Sequence, residues 1–373
     1  MERIKEFITD FGLPRIIIAV FLMGLFMVAP TVGVSLPGAF TDVFTRIGMN
    51  GIMVLALVPM IQAGCGLNFG LSLGIIAGLL GATISLEMTD VIASAMSSVG
   101  VNPFVVLETG KEVLSTAARS CIYIFAICTA IPIGAIFGLG YGALLNRVKG
   151  GEMMIATYVG FSAVMFMSIA WMTLPYKSPV MVWGFSGEGL RATISVEEFW
   201  RHILDDFLAI QIGGFKFPTG TILFLSFVSL LVWAFFRLKI GTAMTAVGSN
   251  SNYARASGIN VNRMRTISVV ISTVLGAVGI IVYQQSFGFI QLYEGPLYMA
   301  FPAVAAILIG GAGVNKASLI NVFIGVALYQ GILVMTPLVF NALLKLDMSD
   351  VIRIIVSNGM ILYALTRRTK VLK

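Results

Sequence analysis

Few residues in this chain are equipped for covalent chemistry. There is one histidine, His202, and the three cysteines, Cys65, Cys121 and Cys128, lie in or beside apolar runs with no CxxC pair among them. Neither a zinc site nor a disulfide framework can be built from that set, so the cysteines read as small apolar side chains in helix packing and no metal site is expected. Gly110-Lys111 lacks the upstream glycine and the following Ser or Thr of a phosphate-binding loop, and HExxH and nucleophile-elbow patterns are missing too. What the chain offers instead is non-covalent. Beside a glycine-rich interruption, Ala63-Gly64-Cys65-Gly66-Leu67-Asn68-Phe69-Gly70, the amides of Gln62 and Asn68 could offer donors to a solute's hydroxyls, with Phe69 or Trp171 as an apolar wall. A second stretch, AVGSNSNYARASGINVNRMR at 246–265, is polar, basic and bounded by glycine.

The elements that must position these residues are membrane helices. Of 373 residues, 58% are hydrophobic and 11% charged, against roughly 25% charged in soluble domains. The 40 glycines suit helices that approach closely in lipid. A bilayer core of about 30 Å takes about 20 apolar residues per helix. Ten stretches qualify: 16–34, 48–63, 68–86, 120–145, 153–174, 219–236, 267–284, 298–313, 317–336 and 350–366, the short second, eighth and tenth leaving nine or eleven open. The apolar run after MERIKEFITDFGLPR is longer than the core of a cleaved signal peptide and reads as a retained first span. The pattern predicts an all-α polytopic membrane helix bundle, with 1–373 as a single transmembrane domain.

Orientation follows from charge. With both termini in the cytoplasm, the inner segments hold 15 of the 24 Lys and Arg and four of the 17 Asp and Glu, as the positive-inside rule requires. The basic balance is thus a topology signal, and no nucleic acid need be invoked. Two connections are long, 175–218 outside and 238–266 inside. Within the outer one, VEEFWRHILDDFLAI has apolar and charged residues at helical spacing and predicts an amphipathic helix, with His202 a surface residue. Such a helix suits the membrane surface, an external partner, or simple closure of the bundle.

In the inner connection, Asn250 or Ser251 can cap a short helix over Asn252-Tyr253-Ala254-Arg255-Ala256-Ser257, and Gly258 can end it in the left-handed conformation before Ile259. Ala254 and Ala256 are small enough for a partner's cleft to close around. The pattern A-V-G-x-N-x-x-x-A-R-x-S-G-I-N-V-N-R, from Gly248 onward above all, resembles the coupling-helix segment of binding-protein-dependent ABC importer permeases of the ribose, simple-sugar and branched-chain amino acid group. The resemblance extends to the glycine break after the second span and to a late turn, Ile309-Gly310-Gly311-Ala312-Gly313. It implies a permease subunit in a bacterial cytoplasmic membrane, working with ABC ATPase subunits, a second permease, identical or related, and an external solute-binding protein. ATP and Mg would bind in the partner ATPase, and no cofactor would bind in this chain. Sugar-type members often carry Asp in the first break where this chain has Asn68, which leaves room for a nucleoside or another neutral solute beside a monosaccharide such as ribose, with branched-chain amino acids a further alternative.

Broken helices at membrane depth are tolerated where they line a cavity or are buried in protein. Gly64, Gly66, Asn68, Gly70 and Ser72 form one such break, expected to line the pathway. Pro302, Gly310, Gly311 and Gly313 form another, for which close packing is an equal explanation. Glu87, Glu152, Asp350 and Arg353 fall near span ends, and acidic groups in the spans proper, the mark of ion-coupled carriers, are nearly lacking. A transporter without its own ATPase or a coupling carboxylate draws its energy from elsewhere. A stand-alone secondary carrier is the competing reading from a different class.

Overall fold

The computed structural model describes residues 13–106, 112–148, 150–182, 190–313, 316–345 and 349–371. It is an all-α polytopic membrane bundle. In chain order the helices are α1 (Leu13–Val28), α2 (Leu36–Leu55), α3 (Leu57–Gln62), α4 (Leu71–Glu87), α5 (Thr89–Ser98), α6 (Thr116–Arg147), α7 (Glu152–Thr173), α8 (Thr219–Arg237), α9 (Lys239–Ser249), α10 (Ser251–Ala256), α11 (Val261–Phe287), α12 (Glu294–Tyr298), α13 (Ala300–Ile309), α14 (Leu319–Leu344) and α15 (Ser349–Val371). Three antiparallel strand pairs add to them: β1 (Phe104–Val106) with β2 (Glu112–Leu114), β3 (Thr193–Ser195) with β6 (Phe289–Gln291), and β4 (Ile210–Ile212) with β5 (Phe215–Phe217).

The expected count of ten spans changes. Among the described residues seven helices are long and apolar enough to cross a membrane, or eight if α4 and α5, bent by 55° at their junction, are taken together. Each expected segment is helical, but Glu294–Ile309 is a shorter apolar stretch and α15, the tenth, is not among the helices apolar enough to cross. The second span starts twelve residues earlier than expected, at Leu36 rather than 48, with Pro37 in its first turn. Residues 36–47 therefore belong to a span, and Asp42 and Arg46 with them. The ninth span continues past 336 with Pro337 inside it.

α4, α6 and α11 pack at the centre. Their contact is close because glycines face backbone: a Cβ on Gly78 would lie 2.2 Å from Ile280 Cγ2 and 2.4 Å from the Ala277 carbonyl. In lipid such intimate packing supplies the dispersion energy that holds helices together. α1 and α7 lie outermost, with 11% and 22% of their spans buried.

The expected amphipathic helix at 196–210 is not formed. The chain there runs through successive turns, with His202 at φ 57° and Leu208 at φ 54°. Its polar groups are claimed by the bundle instead. Arg119 donates to the Phe199 and Arg201 carbonyls at 3.0 and 2.8 Å, and the His202 amide donates to the Gln285 carbonyl at 2.8 Å. Trp200 and Asp205 are buried, and Asp205 accepts from Thr221, Ser286 and Gln285. His202, half-buried, sets Nδ1 3.1 Å from Asp205 Oδ2.

Candidate functional site

The segment 246–265 folds as its residue types dictate. Asn250 caps α10, its Oδ1 accepting from the amides of Asn252 at 3.1 Å and Tyr253 at 3.0 Å. The helix ends where Gly258, at φ 81°, donates to the Arg255 carbonyl and the Ile259 amide donates to the Ala254 carbonyl. Tyr253, Arg255, Ala256, Ser257 and Gly258 are exposed. Ala254 is a correction: expected to face a partner, it is fully buried in a small core with Val247, Val261 and Met264, against which Ile259 packs. Its small side chain serves this chain's own packing.

α9 joins this helix to the glycine break. A Cβ on Gly248 would stand 2.0 Å from the Gln62 carbonyl oxygen and 2.9 Å from the Gly64 nitrogen, so only glycine lets the two backbones meet. Gly64, at φ 71°, turns the chain here. Gln62 strengthens the joint, its Nε2 donating to the Ala317 carbonyl at 2.6 Å and its Oε1 accepting from Thr245 Oγ1 at 3.0 Å. Beside the joint lies a polar cavity of about 460 Å³ lined by Gly64, Glu152, Gly248, Asn250, Arg255 and Arg265. Arg265 and Glu152 form an ion pair across it, with side chains 13% and 18% exposed. The sequence reading placed Glu152 at a span end and Arg265 in a basic run without joining them.

Deeper in the bundle the break is fixed by side chains. Asn68 is fully buried, its Nδ2 donating to Ser272 Oγ at 2.8 Å and its Oδ1 accepting from Tyr141 at 3.1 Å, while Ser272 donates to the Ala56 carbonyl at 2.6 Å. In this conformation both ends of the amide are engaged by the bundle's own side chains. Tyr141 and Ser272 have no sequence signal beyond being polar groups inside predicted spans. Ser72 donates to the Pro296 carbonyl at 2.7 Å, and Phe69 lies 5.7 Å from Phe301, so the break meets the α12–α13 interruption.

The other expected site residues are placed by packing. Trp171 is wholly buried in the core. Gly66 turns at φ 78° beside Met153. Gly310 is pressed against α14, where its Cβ would be 1.8 Å from the Asn321 carbonyl, and its own carbonyl accepts from Asn321 Nδ2 at 2.7 Å. Gly311 follows at φ 87°, beneath Arg15. Close packing accounts for both.

Two known proteins resemble the chain over about half its length. It is 26% identical over 201 residues to the autoinducer 2 import system permease protein LsrC of Enterobacter sp. (strain 638), covering 52% of this chain and 53% of that protein. It is 24% identical over 195 residues to the nucleoside ABC transporter permease protein NupB of Lactococcus lactis subsp. cremoris (strain MG1363), covering 48% and 50%. The chain thus spans about half the length of the relatives it matches. No solved structure matches it. The family described as branched-chain amino acid transport system / permease component matches residues 21–357, nearly the whole of the bundle, and the chain belongs to it.

Proposed function

We propose that this chain is the membrane subunit of an ATP-driven importer for a small neutral solute, and that 246–259 receives the work of a partner ATPase. The observation that carries this reading is the glycine joint. An exposed, capped helix is tied through α9 to the backbone of the broken span, so a push on Tyr253, Arg255 or Ser257 reaches Gln62 and Gly64 without an intervening flexible segment. A rigid-body bias of that kind moves a bistable bundle between two packings.

In this reading the end carrying 238–266 and both termini faces the cytoplasm of a bacterium. The partners are ABC ATPase subunits that hold ATP and Mg, a second permease, and an external solute-binding protein. One relative is named for autoinducer 2 and the other for nucleosides; in this reading a monosaccharide such as ribose is the solute, and a nucleoside is the alternative. The test is uptake of labelled D-ribose by membrane vesicles holding this chain and its ATPase. ATP-dependent uptake that excess adenosine leaves intact is expected. Uptake by the purified chain alone in ATP-free vesicles would overturn the reading in favour of a stand-alone carrier.

A further inference from the structure

At the end of the bundle opposite the joint, a cavity of about 330 Å³ opens between α2, α11 and α14. Its polar lining is Asp42, Thr45 and Arg46 of α2, Ser286 of α11 and Asn341 of α14, with Phe287 beside them. Asp42, Thr45 and Arg46 fall three and four residues apart, hence on one helical face. They lie within a membrane-spanning helix. Ionisable groups there face a bundle interior or an aqueous cavity and mark a solute route.

The chemistry of the lining is selective. A carboxylate, a guanidinium and a carboxamide are planar groups that each engage two neighbouring hydroxyls, as acceptor, donor and both. Arg46 stands about one helical turn after Asp42 and lines the same cavity. The wall therefore carries one acidic and one basic group among neutral hydrogen-bonding ones. Phe287, 38% exposed, supplies an apolar surface for the C–H face of a ring. Ser286 is held in place, donating to Asp205 at 3.1 Å and accepting from Gln285 Nε2 at 2.6 Å. The volume sits at the small end of the roughly 300–1,000 Å³ of ligand sites, which suits a single ring.

We propose that this cavity is an entry subsite for an uncharged, polyhydroxylated ring of monosaccharide size. The inference rests on the transport reading above and adds the place at which the solute enters. It is tested by thiol labelling of Thr45→Cys in a Cys121→Ser, Cys128→Ser background, in membranes without ATP, using a maleimide and D-ribose as the probe. Labelling is expected to slow roughly tenfold when ribose stands at ten times its Kd. Asn341→Ala and Asp42→Asn are each expected to raise the protecting concentration about 2- to 12-fold. Labelling unchanged by ribose, absence of labelling, protection by L-leucine but not ribose, or equal protection in all variants would each overturn the proposal. Because the assay needs no ATP, protection that survives a failure to couple to an ATPase would leave this subsite standing while removing the importer.

Discussion

Gly248→Ala puts the glycine joint to its sharpest test. The new Cβ would lie 2.0 Å from the Gln62 oxygen, while ordinary contact begins at 3.4 Å, so the two backbones must part by 1.4 Å. Neither neighbour is a side chain that can swing aside. That parting is close to the rise of one helical residue, about 1.5 Å, and enough to break the 3.0 Å bond from Thr245 to Gln62. Overpacking of this kind costs about 1–3 kcal/mol, which corresponds to about 5- to 150-fold in the balance between a seated and an unseated joint. The assay is solute delivered per ATP hydrolysed by the reconstituted transporter. Delivery is expected to fall within that range while ATP hydrolysis persists and the protein still inserts. The control is Gly140→Ala, whose Cβ meets nothing within 4 Å. Wild-type delivery per ATP in Gly248→Ala would refute the joint as the transmission element.

Four further outcomes follow from the same geometry. Asn250→Ala removes the acceptor of two amides in the handle and is expected to weaken α10 by about 0.5–2 kcal/mol, seen as reduced co-purification with the ATPase and lost if Asn250→Asp does not restore it. Glu152→Gln leaves Arg265 half-buried without its counter-charge and is expected to lower thermal stability by about 1–3 kcal/mol, with partial recovery in the Glu152→Arg, Arg265→Glu exchange; an equally stable single variant would count against the pair. Asn68→Ala strips partners from Tyr141 and Ser272, and a cost of about 1–3 kcal/mol in stability is expected, with solute preference unchanged; altered preference would return Asn68 to the pathway. Burial alone would push the Asp205 carboxyl up, but hydrogen bonds from His202, Thr221, Ser286 and Gln285 outweigh it and hold the group below the usual carboxylate range. Its contribution is therefore complete above the ordinary carboxylate pKa and lost as pH falls through the lowered value. Protease cutting at 199–209 is expected to rise only on that acid side, and in Asp205→Asn, which carries no charge at any pH, to be raised throughout without that acid transition; cutting that rises with pH would refute this.

The bundle was legible in the sequence because lipid imposes length and apolarity on each span, and the handle because caps and a left-handed glycine are local signals. Asn250 and Gly258 act where their types predicted. Long-range uses were hidden. Ala254 turned inward because Val261 and Met264 come from the next helix, beyond the reach of a local pattern. Residues 196–210 have helical spacing, yet Arg119 and Gln285, from α6 and α11, take the backbone groups a helix would need. Asp42 and Arg46 read as loop charges since charge normally argues against a span, and a cavity within the bundle is what reconciles the two.

The little core of Val247, Ala254, Val261 and Met264 makes the protruding helix a finished object before any partner arrives. Nothing there has to become ordered upon assembly, so the ATPase of the proposed transporter would meet a ready-made shape and association would forfeit little entropy. A rigid projection also transmits in both directions: in the proposed transporter, occupancy deep among the helices would be sensed at the ATPase as readily as force is sent the other way.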